Sequence, residues 1–176
     1  MTTDLRYPIG KAETPRDLDP EQRRELISRI ERTPDRLREA VAGLNAEQLD
    51  TPYRPGGWTV RQLVHHVPDS HLNAYTRCKL ALTEDEPTIK TYDEGRWAEL
   101  PDSRAVPVEV SLALLENLHR RWVALLRALP EADFQKSLRH PEWGQMTLDQ
   151  ILGIYAWHGD HHVAHVTSLR QRMGWL

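Results

Sequence analysis

The chain has 176 residues, a length that suits one domain, because domains span about 100 to 200 residues. Its 23 basic and 26 acidic side chains are interspersed, so the composition argues against nucleic-acid binding. No apolar run approaches the roughly 20 residues of a membrane span, and the first residues lack the apolar stretch of a secretion signal. We therefore expect a soluble, cytoplasmic protein without a membrane partner. The single cysteine, Cys78, excludes an intramolecular disulfide and zinc sites built on paired thiolates.

The first predicted helix follows an N-terminal arm, residues 1–18, that is rich in proline and charge. Asp19 is a good N-cap, and Pro20 suits the first helical position. Apolar residues at helical spacing continue to Leu44, with a predicted kink before Pro34. A shorter segment begins at Asn45, before a loop with two prolines and two glycines.

The second predicted helix begins at Thr59, which forms a capping-box pattern with Gln62. Its apolar spacing continues to about Thr83. Residues 84–106 are polar and contain two prolines and a glycine, so they predict an irregular connection. Links between bundle helices usually take about 2 to 8 residues, so this one is long enough to cross the whole bundle.

The third predicted helix lies between Pro107 and Pro130 and carries a continuous series of apolar positions. The fourth spans Leu148 to about Met173, with Gly174 as its C-cap. No segment predicts a strand. The long crossover lets the third helix run parallel to the second, so we expect an all-α, up-down-down-up four-helix bundle formed as a single domain by residues 1–176.

The fourth helix carries four of the nine histidines. A heptad frame places His158, His162 and His165 at core positions and His161 toward the flank. His158 and His162 are four residues apart, so they lie one above the other, and His-x-x-x-His is a spacing used by pairs of zinc ligands.

The second helix offers candidates for a third ligand. Periodicity places His71 nearest the apolar face, His66 off it and His65 almost directly away. On this reasoning His71 ranks above His66, although Pro68 can change the helix direction between them. A single inward histidine is more often a hydrogen-bonded core residue than a ligand. Three on facing helices would leave unpaired ring nitrogens, each costing about 1 to 3 kcal/mol, unless they share a partner such as a divalent metal.

The sequence resembles the DinB-like four-helix bundle proteins, and within them the YfiT group of metal-dependent hydrolases. The resemblance covers nearly the whole chain. It rests on four segments: Tyr7-Pro8-Ile9-Gly10-Lys11, Pro34-Asp35-Arg36-Leu37-Arg38, Gly56-Gly57-Trp58-Thr59-Val60-Arg61-Gln62 and Trp157-His158-Gly159-Asp160-His161-His162.

The resemblance implies a three-histidine metal site. Carried over to this chain, the first ligand is His66 rather than His71, and the others are His158 and His162. Pro68 departs from the family pattern, where we expect alanine. Three protein ligands leave a position open for water, so the resemblance implies hydrolysis of a small molecule. Zinc is the first choice for the ion and nickel the second.

Two alternatives to the hydrolase stay open at this stage. The same bundle and histidine set resemble thiol-dependent S-transferases, in which the metal activates a low-molecular-weight thiol such as bacillithiol or mycothiol. A bundle that binds metal without turnover is the other. The resemblance also implies a homodimer. Among the carboxylates, we expect Asp160 to be a solvated or capping charge, and Asp69 or Glu142 to be able to orient a ligand imidazole.

Overall fold

A computed structural model describes residues 4–175 of the chain. Most of this part is helical, and four long helices dominate it. In chain order the elements are α1 (Pro20–Val41), α2 (Ala46–Leu49), α3 (Val60–Thr83), α4 (Glu94–Ala98), α5 (Asp102–Ala105), α6 (Val108–Ala128), a 3-10 helix (Glu131–Gln135), β1 (Ser137–His140), β2 (Gly144–Thr147) and α7 (Leu148–Met173). The four long helices α1, α3, α6 and α7 correspond to the four predicted from the sequence.

The bundle core consists of two apolar clusters, one toward each end. Members of the first apolar cluster are Ile27 and Ile30 of α1, Ala74 and Cys78 of α3, Trp122 and Leu126 of α6, and Ile151 and Leu152 of α7. Members of the second apolar cluster are Leu37 and Val41 of α1, Val60 and Val64 of α3, Leu112 and Leu115 of α6, and Val163 and Val166 of α7. Helices α1 and α7 run from the first cluster to the second, and α3 and α6 run the opposite way. The up-down-down-up topology is therefore confirmed.

The helix ends follow the predicted caps. The Thr59 side chain accepts a hydrogen bond from the backbone N–H of Gln62, whose side chain accepts in return from the Thr59 backbone. Thr147 forms the same capping box at the start of α7. Gly174 ends α7 with φ 66°, a left-handed conformation that costs glycine little. Pro34 and Pro68 lie inside helices that continue on both sides.

The expectation that the chain contains no strand is wrong. Strands β1 and β2 form an antiparallel hairpin before α7, with Leu138 opposite Met146. Gly144 adopts φ 74° where the hairpin turns. Each strand has only four residues, too few for an alternating pattern to stand out in the sequence. The connection predicted as irregular also contains the short helices α4 and α5.

Helix α7, which carries the histidine cluster, packs closely on α1. A methyl group added at Gly159 would lie 2.5 Å from Thr33 Oγ1 and 2.7 Å from Thr33 Cγ2, so the two backbones approach here because position 159 has no side chain. A buried ion pair also joins the two helices, because Asp149 accepts hydrogen bonds from Arg23 Nε at 2.7 Å and Nη2 at 2.8 Å. These contacts fix the position of α7 relative to α1.

The N-terminal arm lies against α7. Pro15 sits over Gly153, where an added methyl group would be 2.5 Å from the proline ring. Trp157 Nε1 donates a hydrogen bond to the Gly10 carbonyl at 3.2 Å. The described residues of the arm thus cover the bundle next to the histidine cluster. Within residues 4–175, no helix is both long enough and apolar enough to span a bilayer.

Candidate metal centre

Three histidines from two helices converge at the centre of the bundle. His66 Nε2 lies 3.3 Å from His158 Nε2, and His162 Nε2 lies 3.1 Å from the same atom. One ligand atom from each ring lies within 4.8 Å of the other two. His158 and His162 meet because they are one turn apart on α7, and His66 faces them from α3. The structure therefore brings together the three residues that the family resemblance indicated.

The three rings are held as neutral imidazoles. His66 and His162 are only 4% and 6% exposed. Burial lowers the pKa of His66 to about 4 and the pKa values of His158 and His162 well below the usual range. Neutral imidazole offers a nitrogen lone pair at neutral pH, which is the form that binds metal ions.

His71, which periodicity ranked first, is fully buried but is not one of the three. Its Nε2 lies 3.1 Å from His158 Nδ1, on the side of that ring away from the converging nitrogens. Its Nδ1 lies 2.8 Å from His119 Nε2, and His119 Nδ1 lies 2.6 Å from the Ile30 carbonyl oxygen. We call this hydrogen-bonded set of His158, His71 and His119 the imidazole series. Periodicity was right that His71 faces inward. It could not distinguish a candidate metal ligand from a residue that contacts such a ligand.

Sequence reasoning missed His119. It lies on the inner side of α6, four residues after Leu115 and three before Trp122, and it is 2% exposed. That position was the available signal, because helix residues three and four apart share a face.

Two further histidines are buried against expectation. His65, predicted to face away from the core, is 5% exposed. Its Nδ1 lies 2.7 Å from Ser111 Oγ and its Nε2 3.1 Å from the Val106 carbonyl, because α6 and the residues before it cover that side of α3. His161, predicted at the flank, is also buried, with its Nε2 2.9 Å from His165 Nε2.

The carboxylates lie apart from the three rings. Asp160 pairs with Arg29 and Arg36 of α1, so it is an ion-paired residue rather than a solvated or capping charge. In the part of the chain that the structure describes, Asp69 and Glu142 make no side-chain hydrogen bond to a ring nitrogen of His66, His158 or His162. Burial and the nearby Asp102 raise the pKa of Asp69 to about 6. The hydrogen-bond partner of His158 Nδ1 is therefore His71 and not a carboxylate.

Aromatic rings surround part of the centre. The Trp58 ring centroid is 4.7 Å from that of His66, and Trp157 stacks on His161 at 4.3 Å. Trp143 instead stacks on His140 of the hairpin and is 60% exposed. Helix α3 continues through Pro68, and His66 still reaches the other two histidines.

The donor set fits a divalent metal ion. Three imidazole nitrogens suit zinc, nickel and similar ions, and three protein ligands are the number typical of catalytic zinc sites. The Nδ1 atom of His162 is buried and has no hydrogen-bond partner within residues 4–175. Metal binding through Nε2 does not satisfy Nδ1, but it would give the Nε2 lone pairs that converge from the three rings a shared partner.

The fold and the site together define a four-helix bundle protein with a three-histidine centre. The chain belongs to the DinB superfamily, whose family model matches residues 29–166.

Comparison with individual proteins gives the same picture. A curated relative from Bacillus cereus (strain 03BB102), named "Putative metal-dependent hydrolase", is 56% identical over 172 residues, covering 98% of this chain and 99% of its own. A relative from Bacillus thuringiensis subsp. konkukian (strain 97-27) shows the same identity and coverage.

Two solved structures share the fold. YfiT from Bacillus subtilis, described as a probable metal-dependent hydrolase with an unusual four-helix bundle topology, superposes with a TM-score of 0.95 at 49% identity, over 98% of this chain and 99% of its own. TT2238, a four-helix bundle protein, matches 80% of this chain and 94% of its own with a TM-score of 0.55 at 22% identity, which shows the fold alone.

Proposed function

We propose that this chain is a metal-dependent hydrolase of a small molecule, with the ion held by His66, His158 and His162. The observation that carries the proposal is the convergence of three imidazole nitrogens at one point between α3 and α7, two of them on the buried His66 and His162 and one on the half-buried His158. The names of the relatives from Bacillus cereus and Bacillus subtilis support the same activity. Zinc is our first choice and nickel the second, because imidazole binds both.

The residues of the chain have separate tasks in this proposal. Bound by three imidazoles, a divalent ion polarises a carbonyl and lowers the pKa of a coordinated water or thiol. The three histidines would hold the ion, with His66 and His162 buried and His158 half-buried. Trp58 packs on His66 and restricts its ring.

The thiol for the alternative S-transfer reaction would have to come from outside the chain. Cys78 is buried, and burial raises the pKa of its thiol to about 12, so it is not an activated nucleophile. The choice between hydrolysis and thiol transfer therefore depends on whether turnover needs an added thiol.

Elemental mass spectrometry of untagged protein tests the metal centre. We expect about one zinc or nickel ion per chain in the wild type, and loss of the ion in His66→Ala, His158→Ala and His162→Ala. His140→Ala is the matched control, because His140 is also buried but lies in the hairpin. A wild type that stays empty after incubation with either ion refutes the centre, as does metal content that is unchanged in all three variants.

Turnover assays test the reaction class. Hydrolysis of ester or amide substrates without thiol, lost together with the metal, supports the hydrolase. If an electrophile such as monochlorobimane is consumed only when a thiol is present, the result contradicts the hydrolase and supports the S-transferase. A metal-loaded protein that is inert in both assays contradicts the hydrolase and indicates a metal-binding bundle.

The homodimer stays a prediction, which sedimentation of the purified protein checks.

A further inference from the structure

Pro34 leaves one carbonyl of α1 without its helical partner. In an α-helix the carbonyl of residue 30 accepts from the N–H of residue 34, and proline has no N–H. The Ile30 carbonyl oxygen instead lies 2.6 Å from Nδ1 of His119, deep in the bundle. A carbonyl oxygen only accepts hydrogen bonds, so His119 must carry its proton on Nδ1.

The proton positions of the next two rings follow from this one. A neutral His119 with its proton on Nδ1 has a lone pair on Nε2, so His71 donates to it from Nδ1 across 2.8 Å. His71 then has its lone pair on Nε2, so His158 donates from Nδ1 across 3.1 Å. This leaves His158 Nε2 with a free lone pair. It is also the atom that lies closest to the nitrogens of His66 and His162.

The surroundings of His71 and His119 suit neutral rings. His71 is completely buried and His119 is 2% exposed. In the described part of the chain, no carboxylate forms a hydrogen bond or an ion pair with either ring that would favour the charged form. A charged ring would be costly in such apolar surroundings without a paired anion.

We propose that His71 and His119 are positioning residues that hold His158 as the Nδ1–H tautomer, so that its Nε2 lone pair would face the metal. The Ile30 carbonyl, which lacks a helical partner because of Pro34, fixes the proton position of His119 and hence of the two other rings. The inference rests on the metal centre proposed above, because only a ligand needs that lone pair. Partners behind a ligand histidine fix its tautomer and ring orientation and raise its basicity. Such a partner is usually a carboxylate, a backbone carbonyl or a water, whereas here two further histidines lie between the ligand and the carbonyl.

Nuclear magnetic resonance of the metal-free full chain tests the tautomers directly. Long-range ¹H–¹⁵N correlations show which ring nitrogen carries the proton. We expect His119, His71 and His158 all to be Nδ1–H tautomers at neutral pH. A proton on Nε2 of any of the three overturns the proposal. This result is independent of whether the protein binds metal, so failure of the series and failure of the metal centre can be told apart.

Metal affinity tests the positioning role. In competition with a chromophoric chelator, we expect His119→Leu to bind Zn²⁺ about 10- to 100-fold more weakly than the wild type. His119→Gln, which keeps one donor and one acceptor, should bind more tightly than His119→Leu. His140→Leu makes the same change in the hairpin and should keep the wild-type affinity.

An unchanged affinity in His119→Leu overturns the positioning role, and so does an equal loss in His119→Gln. If His119→Leu does not fold, His119→Phe replaces it, because it also removes both ring nitrogens but keeps a planar ring in the core. Weaker Zn²⁺ binding by that variant supports the proposal, and wild-type binding contradicts it.

Discussion

Replacing Asp149 by alanine removes one side of a buried ion pair between α1 and α7. The Asp149 side chain is fully buried and accepts three hydrogen bonds, two from Arg23 and one from Gln135 at 3.0 Å. The variant leaves the charge of Arg23, whose side chain is 9% exposed, with Glu131 as its remaining ion-pair partner within residues 4–175. Breaking a buried pair costs about 3 to 5 kcal/mol, and the remaining partner favours the lower end of that range.

The expected loss is large enough to measure in two ways. A cost of about 3 kcal/mol lowers the Tm of a chain of this size by about 6 to 12 °C. Urea unfolding should show the same loss as a lower midpoint with an unchanged slope. Both measurements use metal-free protein, so that metal release does not contribute to the transition.

Glu31→Ala provides the matched control. Glu31 also accepts two hydrogen bonds from one arginine, Arg127, at 2.9 and 2.6 Å, but both side chains are about half exposed. Solvent screens such a pair, so we expect a loss of less than about 1 kcal/mol. Equal losses in the two variants, or a loss below about 1 kcal/mol in Asp149→Ala, would refute the argument that burial sets the cost.

Two further predictions concern other parts of the bundle. Gly159→Ala should destabilise the protein by about 1 to 3 kcal/mol in urea unfolding, although Gly→Ala usually favours a helix, because the new methyl group meets Thr33 at 2.5 Å. Adding Thr33→Ala should recover part of the loss, and simple additivity of the two changes would contradict the steric explanation. In metal-free protein Asp69→Asn should be stabilising, with a gain that grows as the pH rises from 4 through 6. The folded pKa of Asp69, about 6, lies above its unfolded value, so wild-type stability falls over that window, and a pH-independent gain would contradict this cause.

The helices could be predicted because their signals are local. Thr59 and Thr147 each need only the residue three positions later to form a capping box, and the pattern is therefore visible within four residues. The long connection between the second and third helices was enough to choose the topology. The hairpin was missed because its pairing joins two strands of four residues, and neither is long enough to show alternation.

The contacts of the histidines could be predicted only where both partners lie on one helix. His158 and His162 lie on one helix, so their spacing predicts that they meet. His65 was misplaced because its burial depends on α6 and the segment before it, which are about 40 residues away in sequence although they contact His65 directly in the fold. His119 depends on the same kind of distant contact, since its partners come from α1 and α3. Periodicity predicts the direction of a side chain but not the group that meets it.

Buried and half-buried histidines, among them His66, His158 and His162, lie between the two apolar clusters and affect how the helices align. Long apolar helices with uniform cores can slide past one another by one turn and bury nearly the same area. Because His158 and His162 are one turn apart, a slide of α7 by one turn would put one of them in the place of the other and move the second against apolar side chains, where an unpaired polar group costs about 1 to 3 kcal/mol. The same slide would separate Gly159 from Thr33 and put a larger side chain in its place. The buried histidines therefore favour one alignment of the helices over alignments shifted by one turn, whether or not an ion is bound.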